Sequence, residues 1–340
     1  MINLSGNKHK VLIKVSCPAL GDTLCSTPTV RKAALSYGHK VDVMCRRTDL
    51  FERNPYVDKL LKFTEEDPEG YNDIFETYNH WIKGNMNMNA GRIRDTEVQI
   101  KLSNFEARQH HALGLGITLY PEELHYDYIP EEQTEDSLKI DKDCIVIHPT
   151  ENWPNRTWPL EHWQRLVDLI KEHTNMKVVM IGKAHREHTS EGEITKGLVD
   201  IKGIDYNYGD DTPGRQEDAS VFRPISELYH VLNNAFGLVS FDAGPIHLAG
   251  CTDSHIFQIG ASIDPRKTAP YRHGTQDYKF HFVGSDCKKF CATDPKYSVS
   301  NWGTMNALPF YPSCLEGYSE FKCQPGPDQI FNKIMEVRNG

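Results

Sequence analysis

No run of apolar residues in this chain approaches the roughly 18 that a membrane-spanning helix needs. The mean hydropathy is −0.55. Positive charge is also in short supply: 340 residues sum to a formal net charge of −9, which argues against wholesale coating of nucleic acid. No basic stripe interleaved with aromatics is visible, so nothing marks a single-stranded nucleic-acid groove. No repeat at a solenoid period appears. The opening residues, "MINLSGNKHK", lack the apolar stretch and small-residue cleavage site of a secretory signal. The expected location is therefore the cytoplasm.

What is present is a soluble globular composition, 39% apolar and 25% charged, in a chain long enough for two domains. Short apolar runs alternate with amphipathic ones. "VLIKVS" reads as a buried strand, followed by a helix from Thr23 to the residue before Gly38. "HKVDVMCR", the end of "NPYVDKLLKF" and "YNDIFETY" supply further strands, and helical spacing continues from Thr96 to stops at Gly114 and Gly116. Residues 121–142, rich in Pro, Glu and Asp, read as a linker. A second series follows: strand "CIVIHP", helix "PLEHWQRLVDLIKEH", strand "KVVMIG", helix "SELYHVLNNA" with Ser226 as its cap, strand "GLVSF", helix "GPIHLAGC" and strand "HIFQIGA". Two such alternations predict two doubly wound α/β domains, over residues 1–135 and 140–340.

Two segments share one grammar of strand, turn and helix: "VLIKVSCPALGDTLCSTPTVRKAAL" and "GLVSFDAGPIHLAGC". Each sets a carboxylate at its turn, Asp22 in the first and Asp242 in the second. In open α/β sheets, ligands bind beyond the carboxyl ends of the strands, and helix N-termini there favour anions. One half would supply a base and the other would hold a phosphorylated donor across a cleft. Either Asp could instead cap its helix. Residues 1–50 carry eight Lys or Arg against three Asp. That local excess would suit an anionic acceptor, or be an ordinary solvated face.

The nine cysteines fall into two groups. Cys17, Cys25, Cys45, Cys144 and Cys251 are scattered and read as buried thiols. Cys287, Cys291, Cys314 and Cys323 are spaced C-x3-C, then C-x8-C after a long interval. A close pair plus a distant pair suits a four-thiolate structural metal site, zinc or iron. Free thiols and disulfides are the alternatives. The "HREH" segment at 185–188 reads as a solvated helix, not a metal site.

Taken in order, GDTLCSTPTVRKAAL, NRTWPLEHW, DAGPIHLAG and IGASIDPRKTAP resemble glycosyltransferase family 9, which includes the ADP-heptose:lipopolysaccharide heptosyltransferases. The resemblance implies the GT-B fold, two Rossmann-like domains facing across a cleft, and metal-independent inverting sugar transfer from a nucleotide-diphosphate donor, an ADP-sugar in particular. It implies that Asp22 is the general base. Asp242, Ala243, Gly244 and His247 match the family's D-(S/T)-G-x-x-H segment for the donor diphosphate, with Ala243 in place of a hydroxyl residue. Arg156 takes the place of a phosphate-neutralising Lys. Thr150 would contact phosphate, Glu187 a ribose and Ile225 the base edge. Trp158 and Trp163 read as packing residues. The acceptor would be a lipopolysaccharide-type glycan, a protein or modified phage DNA. A non-catalytic nucleotide-sugar binder and a sugar-nucleotide epimerase are the rival readings. The sequence is silent on oligomeric state.

Overall fold

The computed structural model describes residues 9–77, 107–113, 115–133, 139–149, 156–182, 185–188, 194–197, 200–208, 224–272, 275–276, 279–291, 314, 316–318 and 320–340. The chain divides into two compact units: Met1–Glu131 with Lys267–Asp277, and Glu132–Arg266 with Tyr278–Gly340.

The first unit is built on four parallel strands, β1 (Val11–Val15), β2 (Val41–Cys45), β3 (Val57–Lys62) and β4 (Asp73–Glu76), in spatial order β3-β2-β1-β4. A parallel sheet covered on both faces needs continuous apolar strands, and all five residues of β1 are buried. Lys14 among them threads its stem through the core and brings its ammonium to Asp67, 2.7 Å away. Helix α1 (Leu20–Tyr37) follows β1 and begins three residues before the expected Thr23. Pro28 lies inside it and has no N–H to give Leu24; the Thr27 hydroxyl donates to the Leu24 carbonyl instead, at 2.8 Å. The helix stops at Gly38, whose φ of 72° is the left-handed conformation that glycine adopts without steric cost.

The acidic stretch read as a linker is packed structure over its first half. Leu124 and Tyr126 are buried, and Glu123 and Asp127 pair with Lys32 and Arg31 of α1. Acidic composition there answers basic residues on a neighbouring helix. Helix α2 (Ala107–Leu113) carries Arg108, fully buried. Its guanidinium lies between the rings of Tyr126 and Tyr271, 5.2 and 5.0 Å from their centroids, and donates to the Ala269 carbonyl at 2.7 Å. This cation–π sandwich ties the returning segment Lys267–Asp277, with its short antiparallel strands β12 (Tyr271–Arg272) and β13 (Thr275–Gln276), into the first unit, a connection that no shift in composition announces.

The second unit holds six parallel strands: β5 (Cys144–Ile147), β6 (Lys177–Met180), β9 (Tyr206–Asn207), β10 (Gly237–Ser240), β11 (His255–Ile259) and β14 (Phe280–Val283). Their spatial order, β14-β11-β10-β5-β6-β9, is the doubly wound pattern in which the chain fills one side of β5 and then the other. The point of reversal lies between β5 and β10, where such sheets bind ligands. Helices α3 (Leu160–His173), α4 (Ile225–Asn234), α5 (Gly244–Ala249) and α6 (Pro327–Asn339) complete this unit. Its core gathers Ile145, Ile147, Trp158, Trp163, Phe241 and Phe257. Ser226 does not cap α4; the preceding Pro224 holds the cap position and Ser226 is buried one residue inside the helix. "HREH" is strand β7 (His185–His188), paired antiparallel with β8 (Ile194–Gly197), not a helix. Among the described residues, no helix is long and apolar enough to cross a membrane.

Candidate active site

In the first unit the reversal of strand order falls between β1 and β4. Asp22 lies just beyond β1, in the first turn of α1. The helix begins after Ala19, which makes no side-chain cap, so Asp22 sits inside the turn rather than at the cap position. The Thr23 hydroxyl donates to the carbonyls of Cys17 and Ala19, at 3.0 and 2.8 Å, and so fixes the strand-to-helix connection. The Cys17 thiol donates to Asp22 Oδ2 at 3.3 Å. Burial, and then the Asp22 charge, push that thiol up to about 12, which keeps it a neutral donor at physiological pH. Cys17, expected as one more inert buried thiol, thus touches the carboxylate that the sequence singled out.

The basic excess of the first 50 residues is largely neutralised within this unit. Lys14 pairs with Asp67, Arg31 with Asp127, Lys32 with Glu123, Arg46 with Glu65 and Arg47 with Asp49. Among the described residues, five of the seven Lys and Arg in this stretch are paired in this way.

In the second unit the turn after β10 brings together three residues that are 86 and 5 positions apart in sequence. Arg156 Nη1 donates to the Asp242 carbonyl and lies 3.5 Å from Asp242 Oδ2. His247 Nε2 is 3.7 Å from Asp242 Oδ1. The side chains of Arg156, Asp242 and His247 are 12%, 7% and 9% exposed, so the ion pair is held with little water around it, where charge interactions are stronger than in bulk. Ala243 is the residue before α5, in extended conformation, and Gly244 opens the helix. The one-turn geometry places His247 back over the turn, as side chains three residues apart share a helix face.

Sequence reasoning gave His148 no role, yet it stands at the reversal point itself. It follows β5, and its Nδ1 lies 3.0 Å from the Ser240 hydroxyl at the end of β10. Burial, and then the Arg156 charge, lower its pKa to about 4, so the imidazole is neutral at physiological pH. The available signal was its place, one residue past a buried strand. Trp158 and Trp163 are packing residues, both without exposed surface, with ring centroids 5.2 Å apart edge to face. Trp158 fixes the backbone two residues beyond Arg156. Ile225 opens α4 and is half-buried. Glu187 lies in β7. Thr150 lies outside the described residues.

Burial, then Cys287 and Cys314, push the Cys291 thiol up to about 11, and burial, then Cys287, push Cys323 to about 12. Four soft donors that repel once ionised are chemically suited to a thiophilic cation. Among the described residues, however, no three or more His, Cys, Asp or Glu side chains are arranged as a metal-binding group.

The sequence profile of glycosyltransferase family 9 (heptosyltransferase) matches residues 98–205. No curated protein sequence matches the chain. Among solved structures, the chain is similar to the iron-containing dodecameric glycosyltransferase TibC from enterotoxigenic E. coli H10407, with a TM-score of 0.64 at 12% identity over 98% of this chain and 77% of that one. TibC in complex with ADP-D-β-D-heptose gives 0.66 at 10% identity over the same shares. The family 9 glycosyl transferase from Veillonella parvula DSM 2008 gives 0.57 at 13% identity, over 97% of both chains. The shared fold is GT-B, two α/β units with parallel sheets.

Proposed function

From a chain that resembles glycosyltransferase family 9 and shares the GT-B fold, we propose an inverting glycosyltransferase that moves a heptose or similar sugar from a nucleotide-diphosphate donor, an ADP-sugar by preference, to an acceptor hydroxyl. The observation that carries this reading is the buried Arg156–Asp242–His247 group at the turn after β10. It occupies the region where doubly wound sheets bind nucleotides.

The roles follow from charge. A guanidinium offers five donors in a planar fork, so Arg156 can accept a diphosphate while Asp242 orients it. As the bond from the sugar to the diphosphate breaks, negative charge grows on the leaving oxygens, and a preorganised cation stabilises that growth more than it stabilises the ground state. His247 stands beside Asp242 and would steady the turn or the departing phosphate. Thr150, Ala243 and Gly244 would line the diphosphate, with Ile225 and Glu187 toward base and ribose. Asp22 would take the proton from the acceptor hydroxyl as its oxygen attacks the sugar from the face opposite the leaving group.

The acceptor is proposed as a hydroxyl of a lipopolysaccharide-type glycan, a protein or modified phage DNA; the pairing of Lys14, Arg31, Lys32, Arg46 and Arg47 with carboxylates favours the first two. Cys287, Cys291, Cys314 and Cys323 are proposed as ligands of a structural zinc or iron with no part in the transfer, and the reaction itself as independent of metal. The protein is proposed to work in the cytoplasm.

Calorimetry with ADP, UDP, GDP and CDP tests the donor reading. Selective ADP binding that Arg156→Ala abolishes is the expected result. Binding of no nucleotide, or binding unchanged by the substitution, would refute it.

A further inference from the structure

Beside the donor group runs a stretch of chain that the proposed chemistry leaves unused. The arm from Glu320 to Gly326, which carries Cys323, docks against the carboxyl ends of two core strands. The Ser285 hydroxyl, just past β14, donates to the Lys322 carbonyl, and the Cys287 N–H donates back to Ser285 Oγ at 3.3 Å. Gly260, just past β11, admits the arm by having no side chain. A Cβ there would lie 2.7 Å from Gly284 Cα, 2.9 Å from the Val283 carbonyl oxygen and 3.0 Å from that of Cys323. A turn there is closed by the Gln324 N–H, which donates to the Phe321 carbonyl at 2.9 Å. Gln324 Nε2 donates to the Thr157 carbonyl at 3.4 Å, across 167 residues of sequence.

Thr157 is the neighbour of Arg156. Beyond it, Trp158 is locked in the core. The backbone on the C-terminal side of Arg156 is thus held twice, by the indole below and by the Gln324 amide. A charged side chain meant to meet a diphosphate needs its backbone placed to within about half an ångström.

We infer that Gln324 is a positioning residue for Arg156, through which the cysteine-bearing arm sets how well the donor diphosphate is held. The inference rests on Arg156 as the donor-binding cation. Gln324 itself need not touch the nucleotide. Its contribution appears only in contacts that Arg156 makes, and those are to phosphates rather than to base or ribose. A diphosphate should therefore register its loss more strongly than a monophosphate.

The test compares ADP with AMP by calorimetry in the full chain. Gln324→Met keeps the length of the side chain and removes the donor. Loss of one hydrogen bond's worth of placement should raise the ADP Kd roughly 2- to 12-fold, with the AMP Kd little moved and the near-UV circular dichroism retained. An unchanged ratio of ADP to AMP affinity would overturn the inference while leaving the donor reading intact. Arg156→Ala, run alongside, should lose the preference for ADP over AMP. If it retains that preference, the donor reading fails and the inference falls with it. Should Gln324→Met not fold, Gln324→Ala is judged by the same ratio.

Discussion

Replacing Arg31 with Met removes the cation from a closed part of the first unit. The Arg31 and Asp127 side chains are 7% and 12% exposed and meet at 2.5 Å. The same guanidinium also donates to the Glu123 carbonyl and, at 3.2 Å, to that of His125. Burial already raises the Asp127 pKa, and Arg31 is the main opposing influence. Without it a buried carboxylate stands unpaired, and breaking a buried pair in this way costs about 3–5 kcal/mol. A two-unit chain need not unfold in one step, so opening of the segment 120–128 is best read by hydrogen exchange. The substitution should reduce protection there by about a hundred- to several-thousand-fold. A carboxylate whose folded pKa lies above its unfolded value favours the fold when protonated and loses that contribution as pH rises through the folded pKa. The deficit should accordingly be larger at pH 7.5 than near pH 5. Arg31→Met with Asp127→Leu replaces the pair by apolar packing and should recover most of the loss. Near-wild-type protection in the single variant, or a double variant no better than the single, would refute the account. Confirmation would also remove Arg31 from consideration as an acceptor contact.

Asp22→Asn should lower release of ADP from ADP-heptose by roughly 10²-fold or more with the ADP Kd unchanged; turnover within a few-fold of wild type would remove Asp22 as the base. Trp158→Ala should cost about 3–5 kcal/mol, read as a lowered urea midpoint of the second unit, and a cost under 1 kcal/mol would contradict its place in the core. His148 has a folded pKa of about 4 against an ordinary 6.5, so the unfolded chain binds more protons between those values and stability falls as pH drops through that window. His148→Gln should flatten that decline, measured as urea midpoint against pH; an identical decline would show that another group causes it. Protein purified under reducing conditions should carry about one zinc or iron per chain, with Cys287→Ser lowering both metal content and Tm. Metal well below one per chain with an unchanged Tm would sink the thiolate site.

Much of this architecture was legible in the chain because parallel sheets buried on both faces leave unmistakable apolar runs. "VLIKV", "CIVI" and "GLVS" became β1, β5 and β10 for that reason; Asp242 lies in the turn after β10, whereas Asp22 lies inside the first turn of α1, which starts earlier than expected. Local chemistry misled where a distant partner decided the outcome. The acidic residues near 123–127 read as a linker because their cations, Arg31 and Lys32, lie about 90 residues away. Ser226 looked like a helix cap, but the chain enters α4 from Pro224.

Sequence alone determined which residue types stand at which strand ends, because hydrophobic period and turn chemistry are local properties. It could name Asp22, Arg156, Asp242 and His247 one by one. Tertiary structure alone decided their distant company: Arg156 on Asp242, His148 against Ser240 and Gln324 beneath Thr157. The order of strands in the sheet settles those pairings. That order is fixed by burial of whole faces across the unit, which no short window of sequence encodes.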